Sequence, residues 1–483
     1  MDLLNISSVP QGNALVKKNL NALYDEVRTL YASDNRPWVI GYSGGKDSTT
    51  VVQIIWYALS GLERDKLTKP VYIISSDTLV ETPKIIEYLD GSLSRMQKAA
   101  ESQGLPFTVH KVRPDLDDSF WVNMIGRGYP APSKTFRWCT ERLKIDPANN
   151  FIRSIGAKYG EVIVVLGVRK AESATRSQVM SLHRIEGSVL SRHTTLANSF
   201  VYTPIEAFDV DAVWTYLLQV PSPWGNNNRD LVTLYRNAQA GECPLVVDNT
   251  TQSCGNSRFG CWVCTVVNRD TSMEAMIENG EDWLEPLLEF RNKLAATQDP
   301  AVKRLVRRWE RRNGRVSFGK DGRLIPGPYT LLFRKELLTE LLKIQKQVRV
   351  TDPGLELISG TELEEIRRIW RTEEQDWEDS VPTIYAEAVG ENLDWVSYEI
   401  AVFSRQEKQL LASLCEKEQV STDMVAKLLD VERDHSGMSR RSSIYKRLGA
   451  VLQEDWRNNE EIEKAENEAY DVEESEGHEF RSV

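Results

Sequence analysis

Short apolar runs alternate with longer segments of helical period in the early part of the chain. The apolar runs, which predict strands, lie at 38–40, 70–76, 106–112 and 161–167. The helical segments lie at 14–32, 51–59 and 83–102. The Val-rich run at 161–167 has no polar interruption, which is typical of a parallel strand buried on both faces. Strands that alternate with helices are joined by right-handed crossovers, so the pattern predicts an α/β fold with a doubly wound, mostly parallel sheet.

A small glycine-containing turn separates the first strand from the helix that follows it. Its residues are Ser43, Gly44, Gly45, Lys46, Asp47 and Ser48. Amides at a helix N-terminus point at a bound anion, and the helix dipole adds partial positive charge. The spacing differs from the P-loop, which has four residues between its first Gly and Gly-Lys-Ser/Thr. An ordinary turn is the alternative, but the glycines, both serines and the aspartate after a strand favour a phosphate site.

Further polar candidates follow other strands, where a parallel sheet binds its ligands. Asp77 would accept hydrogen bonds from ribose or adenine, unless it caps the helix at Pro83. Gly167 and Arg169 follow the Val-rich run. Arg169 and Arg176 would make bidentate contacts to phosphate oxygens, with surface salt bridges as the alternative. Lys46 and Lys144 would add positive charge where a diphosphate leaves.

Four of the six cysteines lie within one glycine-containing loop, at the spacing C-x10-C-x6-C-x2-C. They are Cys243, Cys254, Cys261 and Cys264. Four thiolates suit a [4Fe–4S] cluster or a structural zinc, and the absence of two C-x2-C knuckles favours the cluster over zinc or unliganded cysteines. Cys139 stands apart at the start of a predicted helix. There the helix N-terminus, Arg137 and Arg142 would favour a thiolate able to carry a persulfide, unless this cysteine is structural.

The C-terminal half predicts helices with two candidate interaction surfaces. The stretch 301–315 predicts a basic amphipathic helix for nucleic acid phosphates or an acidic partner, with a solvated face as the alternative. Its candidate nucleic-acid-binding residues are Arg304, Arg307, Arg308, Arg311 and Arg312. Three short helices at 406–414, 424–429 and 440–452 would form a helix-turn-helix module that reads DNA, or equally a small bundle that docks to a partner. Cys415 belongs to an apolar pattern and is expected in the core.

Length and charge set the organisation. At 483 residues the chain is too long for one core. Twelve acidic and three basic residues after position 453 account for −9 of the net charge of −11, so acidity does not exclude an anionic partner. The expected parts are a nucleotide domain at 1–222, a Cys-rich cluster segment at 223–270, a helical region at 271–350, a helical module at 351–453 and an acidic disordered tail at 454–483. Apolar stretches are too short for a membrane span and no signal peptide is expected, which predicts a cytoplasmic protein.

The motifs together resemble the phosphoadenosine phosphosulfate (PAPS) reductase branch of the ATP pyrophosphatase superfamily, over about residues 35–265. Besides the glycine turn, the matching segments are Asp77-Thr78 with Glu81-Thr82, Cys139 to Pro147, Gly167 to Arg176, and Pro204-Ile205 with Asp211 to Tyr216. The resemblance implies an adenine nucleotide alpha hydrolase-like fold. The reductases of this branch have a degraded loop, whereas the loop here is intact. This difference implies that the chain splits ATP itself.

The length and the four clustered cysteines are also similar to the DndC sulfurtransferase family of bacterial DNA phosphorothioation (Dnd) systems. That resemblance implies ATP, Mg²⁺ and a [4Fe–4S] cluster, with Lys46, Asp47 and Cys139 as catalytic residues. It implies replacement of a non-bridging oxygen of a DNA backbone phosphate by sulfur, as part of a restriction-linked modification. The implied partners are DNA, a cysteine desulfurase and companion Dnd proteins of the DndD and DndE type. Alternatives are tRNA thiolation, PAPS or adenylyl-sulfate reduction, and a non-catalytic nucleotide or cluster sensor.

Overall fold

The computed structural model of the chain describes residues 14–172, 182–238, 260–396, 405–435 and 443–468. Cα packing groups the chain into two compact units. The first comprises Met1–Asp115 and Lys134–Leu288, and the second comprises Leu116–Ser133 and Glu289–Val483. The short insertion at 116–133 was not anticipated, because nothing in its composition marks it as part of a later unit. The five-part division expected from the sequence stays a prediction.

A six-stranded sheet forms the first unit, in the order β3-β2-β1-β4-β6-β5. The strands are β1 Trp38–Gly41, β2 Val71–Ser76, β3 Phe107–Val112, β4 Val162–Val165, β5 Leu190–Arg192 and β6 Ser199–Tyr202. All pairs are parallel except β5 with β6. Every residue of β4 is buried, as expected for a central parallel strand. The predicted α/β fold with a mostly parallel sheet is therefore confirmed, and β1 pairs with β2 on one side and with β4 on the other.

Helices connect the strands. They are α1 Ala14–Ala32, α2 Lys46–Ser60, α3 Pro83–Gln103, α4 Asp146–Tyr159, α5 Val210–Gln219, α6 Asn228–Ala238 and α7 Thr271–Glu278. Helix α2 is central, since twelve of its fifteen residues are buried. Helix α3 starts at Pro83, where no backbone donor is lost, and its C-cap Gly104 has φ of +64°, which glycine adopts without strain. A turn at Trp138–Thr140 and a π-helical turn at Glu141–Ile145 lead into α4.

The second unit is helical. Helix α8 spans Glu285–Ala296, and the later helices are α9 Pro300–Val306, α10 Leu331–Val348, α11 Gly360–Glu373, α12 Ser380–Val389, α13 Arg405–Glu418, α14 Thr422–His435 and α15 Ile444–Leu452. The mainly helical C-terminal region is confirmed. None of the helices in the described part of the chain has the length and apolar character that crossing a bilayer would require.

The expected basic helix at 301–315 is wrong beyond Val306. Asp299 caps α9 by accepting from the Ala301 N–H at 2.9 Å, but Arg307 is extended and pairs with Tyr329 in a β-bridge. Gly327 allows this pairing, because a Cβ there would lie 1.7 Å from the Glu310 carbonyl oxygen. Backbone pairing with the segment 326–329 therefore outweighs the local preference of residues 307–315 for a helix. Leu305, which belongs to the apolar face of the predicted amphipathic helix, is 80% exposed.

Four of the five candidate nucleic-acid-binding arginines make contacts within the second unit. Arg304 donates to Glu466 at 2.5 Å, and Arg308 pairs with Glu374. Arg307 donates to the carbonyl oxygens of residues 326 and 327, both at 2.6 Å. Arg312 lies over the Tyr129 ring at 3.6 Å and donates to a backbone carbonyl. Arg311 is exposed. Each of these four arginines therefore has a structural role within the chain. Nucleic acid binding by this segment stays a prediction.

The three helices expected near the C-terminus are confirmed as α13, α14 and α15. The Ser421 hydroxyl accepts from the Met424 N–H at 3.2 Å, as the predicted cap requires. Cys415 is buried, as expected. Residues 459–468 are helical and Ile462 is fully buried, so the disordered tail expected from residue 454 is wrong over this part. Residues 436–442 and the tail from residue 469 lie outside the described residues, and a DNA-reading or docking role stays a prediction.

A buried amide pair fixes the start of α6 against α2. Gln53 donates to Asn228 Oδ1 at 2.9 Å, and Asn228 Nδ2 donates to the carbonyls of Leu217 at 2.8 Å and Val220 at 3.0 Å. We expect Asn228→Ala to lower the free energy of unfolding by about 3 kcal/mol, because it leaves several buried polar groups without partners. Urea unfolding measures this loss. Asn150→Ala, at an exposed position, should change the stability by less than about 0.5 kcal/mol, and equal effects would contradict the assignment.

Candidate nucleotide and cysteine site

The predicted phosphate turn and the predicted Gly-x-Arg segment follow neighbouring strands. Residues 43–48 follow β1, and Gly167 and Arg169 follow β4, which pairs with β1. The chain continues from β1 to β2 on one side, whereas β4 lies on the other side. This is the point at which the strand order reverses, where parallel sheets bind ligands beyond their carboxyl ends.

The backbone conformation of the turn is stabilised by hydrogen bonds of its serines and by the positive φ of Gly44. Gly44 has φ of +73°, and a Cβ there would lie 2.5 Å from Leu89 Cδ2. The Ser43 N–H donates to Ser48 Oγ at 3.2 Å, and the Ser48 hydroxyl donates to the Gly45 carbonyl at 3.0 Å. The Thr49 N–H begins the helical ladder by donating to Gly45. The amides of α2 that precede Thr49 therefore lie at the helix end that attracts anions.

Asp47 joins the two cations of the site. Its Oδ2 lies 2.9 Å from Lys46 Nζ, and its Oδ1 accepts from Arg169 Nε at 2.7 Å. Lys46 and Arg169 are 7% and 1% exposed. The three groups carry a net charge of +1 beside the loop amides, which suits an anion. Arg169 Nε is engaged by Asp47, and the expected bidentate contact of Arg169 with phosphate oxygens stays a prediction.

Gly167 lets β4 and α2 approach each other closely. A Cβ at this position would lie 3.0 Å from the Asp47 carbonyl carbon and 3.1 Å from the Ser48 nitrogen. These are backbone atoms of the first turn of α2, so they cannot move aside as a side chain would. The glycine of the Gly-x-Arg segment thus sets the distance between Arg169 and the phosphate turn.

Asp77 does not cap α3. The residue before α3 is Thr82, whereas Asp77 accepts from the Leu79 N–H at 3.1 Å and from Arg113 Nε at 3.0 Å, with Lys111 Nζ at 3.2 Å. Burial opposes ionisation of Asp77, but Lys111, the Leu79 amide and Arg113 together hold its pKa below the ordinary value. Asp77 is therefore an ionised acceptor at the end of β2. Its contact with a nucleotide stays a prediction.

Cys139, Cys261 and Cys264 line one cavity of about 720 Å³. Cys139 is distant from the other two in the sequence, but the turn that carries it lies beside the C-x2-C segment. Four cationic side chains line the same cavity, namely Lys134, Arg137, Lys144 and Arg269. Lys144 lies here, rather than beside Lys46 where a departing diphosphate was expected. The positive charge suits an anionic ligand near the thiols.

The segment after β2 holds the C-x2-C turn in place. Glu81 and Cys261 form a β-bridge, and the Trp262 N–H donates to the Val80 carbonyl at 3.0 Å. The Thr78 hydroxyl lies 3.3 Å from Cys261 Sγ and donates to Glu81 Oε1 at 2.9 Å. Thr78 and Glu81, in the motif after the second strand, thus position Cys261. The sequence of the motif alone does not reveal this role.

Burial favours the protonated forms of two of these cysteines, Cys139 and Cys261. Burial, reinforced by the Glu81 carboxylate, raises the pKa of Cys261 to about 12. Burial and the neighbouring Cys264 raise the pKa of Cys139. The expectation that Arg137 and Arg142 would favour a Cys139 thiolate is therefore wrong, because desolvation outweighs the cations around it. Lys144 is the cation that opposes these shifts at both cysteines.

The proposed metal ligands are only partly visible. Cys243, Cys254 and the candidate phosphate ligand Arg176 lie outside the described residues. Within the ranges that the structure describes, no three Cys, His, Asp or Glu side chains form a ready group for a metal ion. The set Cys243, Cys254, Cys261 and Cys264 stays a prediction, and Cys139 joins the candidates because it shares a cavity with Cys261 and Cys264.

Tyr235 is a site residue that sequence reasoning missed. The Lys46 N–H donates to its hydroxyl at 3.3 Å, and Lys46 Nζ lies 5.4 Å from its ring centroid. A tyrosine seven residues into α6, far along the chain from the turn, carries no sequence signal for this contact. Only the packing of α6 against α2 reveals it.

Residues 37–267 match the family model of the phosphoadenosine phosphosulfate reductase domain and form a PAPS reductase-like domain. An uncharacterized protein of Methanocaldococcus jannaschii is 24% identical over 199 residues, and the match covers 41% of this chain but only 35% of the relative.

Two kinds of solved structure show distant likeness. Candida glabrata FMN adenylyltransferase, in complex with FMN and an ATP analogue, has a TM-score of 0.27 and 11% identity, covering 44% of this chain and 62% of that one. The U34-tRNA thiolase NcsA of Methanococcus maripaludis, with its [4Fe–4S] cluster, has a TM-score of 0.28 and 13% identity, covering 47% and 74%. Scores this low do not extend either protein's activity to this chain.

The close approach at Gly167 can be tested directly. We expect Gly167→Ala to weaken ATP binding by about tenfold or more, because the added methyl group displaces the first turn of α2 and its amides. Titration calorimetry with ATP measures the affinity. Gly156→Ala is the matched control, since no atom lies within 4 Å of a Cβ there and alanine suits a helix. Equal affinity in the two variants would contradict this role of Gly167.

Proposed function

We propose that this chain, whose residues 37–267 form a PAPS reductase-like domain, cleaves ATP between its α- and β-phosphates and uses the energy to transfer sulfur to a DNA backbone phosphate. The coupling of an intact phosphate turn to a cysteine-lined cavity within one domain supports the ATP-driven sulfur transfer. The DNA acceptor is supported by the resemblance of the motifs, the length and the clustered cysteines to the phosphorothioation sulfurtransferases.

The observation that best supports ATP cleavage is the Asp47 bridge between Lys46 and Arg169. In this arrangement the loop amides and Lys46 stabilise the negative charge that develops on the departing pyrophosphate. Asp47 keeps both cations in position before the reaction. Since pre-positioned donors need no reorganisation in the transition state, the bridge serves catalysis rather than ground-state binding alone.

Mg²⁺ would bind together with the nucleotide. This ion takes one or two carboxylates and completes its shell with phosphate oxygens and water. Asp47 is the carboxylate beside the loop and would supply that ligand. The three side chains have a net charge of +1, which does not neutralise the negative charge of the phosphates. The ion would add the positive charge that is missing.

The cysteine cavity fits an iron–sulfur cluster in its donor chemistry. Sulfur ligands from Cys139, Cys261 and Cys264 line one space, and Cys243 or Cys254 would complete a set of four. Iron binding would replace the protons that burial holds on Cys139 and Cys261. A bound cluster would supply sulfur or electron chemistry beside the acceptor. Thr78 and the β-bridge at Glu81 would keep the Cys261 ligand in place.

The proposed reaction has two displacements. An oxygen of the acceptor phosphate attacks the α-phosphorus of ATP, and the bond to the β-phosphate breaks to release pyrophosphate. Persulfide sulfur from a cysteine desulfurase is first reduced by two electrons from a thiol reductant, which becomes a disulfide, and is released as sulfide. The sulfide then attacks the acceptor phosphorus, and AMP leaves with the original oxygen. The cationic side chains of the cavity would orient the acceptor phosphate. Companion proteins of the Dnd type would present the DNA.

ATP cleavage depends on Asp47 in this account. We expect Asp47→Ala to lower DNA-dependent pyrophosphate release at least about 100-fold, because Lys46 and Arg169 lose their common anchor. A coupled pyrophosphate assay measures the rate. Asp65→Ala, at an exposed position of the same unit, is the matched control and should retain the rate. Asp47→Asn keeps an acceptor for Arg169 but removes the negative charge. A rate as low as that of Asp47→Ala would therefore assign the loss to the charge rather than to misfolding.

The same assay separates the alternatives. Pyrophosphate release that Asp47→Ala leaves intact would contradict the role of Asp47 in ATP cleavage. No release in the wild type would contradict the proposal and favour a sensor. Nuclease digestion and mass spectrometry of the product then identify the acceptor. Sulfur in the DNA backbone supports the proposal, whereas sulfur in a tRNA base assigns the activity to RNA thiolation.

The ligand role of Cys139 is testable by its metal content. We expect anaerobically purified wild type to absorb near ~400 nm and to bleach on reduction, and both Cys139→Ala and Cys261→Ala to lose most of this band and of the bound iron. Cys415→Ala is the matched control, because Cys415 is buried in the second unit. A full band in Cys139→Ala would return the ligand set to the four clustered cysteines. Zinc in place of iron would overturn the cluster assignment.

A further inference from the structure

Helix α6 is anchored at its first turn and in the segment before it. Asn228 is buried in the amide pair with Gln53. Tyr57 donates to the Pro221 carbonyl at 2.7 Å, and Asn226 donates to the Ser92 hydroxyl at 2.7 Å. These contacts attach the N-terminal side of α6 to α2 and α3. The C-terminal part of the helix lies at the phosphate turn.

Tyr235 brings the other end of α6 onto that turn. Its hydroxyl accepts from the Lys46 N–H at 3.3 Å and lies 3.1 Å from the position that a Cβ on Gly45 would take. The buried Trp214 supports the ring edge-on, with centroids 5.2 Å apart. The hydroxyl is therefore packed against the glycine turn rather than placed over open space.

The amide that Tyr235 engages is one that a phosphate would use. Lys46 is the first residue of α2, and N–H groups of the first turn are those that bind anions at helix ends. A phosphate oxygen bound to that amide lies about 2.9 Å from the nitrogen, which is the space that the phenolic oxygen now fills. Two oxygens cannot occupy this position together.

We propose that Tyr235 is an internal occupant of the phosphate turn, which nucleotide phosphates displace when they bind. This inference rests on the proposed function, because it takes the turn to be the ATP phosphate site. Displacement moves the C-terminal end of α6 while Asn228 holds its beginning. Helix α6 ends at Ala238, five residues before Cys243. ATP occupancy is thereby linked to the position of the C-terminal end of α6.

The affinity test compares two tyrosine-to-phenylalanine variants by calorimetry with ATP and with pyrophosphate. Tyr235→Phe removes the competing hydroxyl, so both ligands should bind about fivefold more tightly than to the wild type. Tyr159→Phe is the control, since the Tyr159 hydroxyl lies 3.5 Å from that of Tyr72 and should leave the affinity unchanged. Unchanged or weaker binding to Tyr235→Phe overturns the inference but leaves the proposed function standing. No binding by any of the three proteins overturns both.

Hydrogen exchange gives a second readout that does not depend on affinity. Peptides covering residues 228–238 should exchange faster when ATP binds the wild type, and Tyr235→Phe should show the faster exchange without ATP. The Tyr159→Phe variant should follow the wild type. Unchanged or slower exchange of this helix on ATP binding would overturn the inference, because a displaced Tyr235 must release the end of α6.

Discussion

The carboxylate of Asp47 is the interaction on which the candidate site depends. It links Lys46, at the start of α2, to Arg169, which follows β4, and thereby joins two neighbouring strand ends. Arg169 is almost completely buried, and a buried guanidinium without its carboxylate costs several kcal/mol. The ion pairs of Asp47 therefore both stabilise the buried Arg169 and hold the two cations beside the phosphate turn. Gly167 belongs to the same arrangement, because only a residue without Cβ lets the backbones approach so closely.

A second connection runs from β2 to the cysteines. The segment that begins at Asp77 pairs with the backbone at Cys261 and places a hydroxyl and a carboxylate beside the thiol. Both connections belong to one unit, so one sheet positions the candidate phosphate turn and the cysteine-lined cavity. Burial favours the protonated forms of Cys139 and Cys261, with the pKa of Cys261 at about 12, so these two thiols are by themselves poor thiolates. Chemistry there requires a metal or a proton acceptor that compensates for burial.

The sequence predicted what local pattern and motif spacing determine. The strands at Trp38 and Val162, the glycine turn before α2 and the cap at Ser421 follow from apolar periodicity, glycine and side-chain capping, and the structure confirms these local elements. It failed where distant segments compete with local preference. Residues 307–315 leave their predicted helix because Gly327 admits a paired backbone, and Lys144 and Cys139 lie by the C-x2-C turn because the topology brings them there. Tyr235 has no local signal at all.

In the proposed function, the turn after β1 directs cleavage of ATP at its α-phosphorus. Phosphorus NMR of the nucleotide products, with magnesium, a sulfide source and DNA present, identifies the bond that breaks. We expect AMP and pyrophosphate in equal amounts. ADP with orthophosphate, or unchanged ATP, would contradict it.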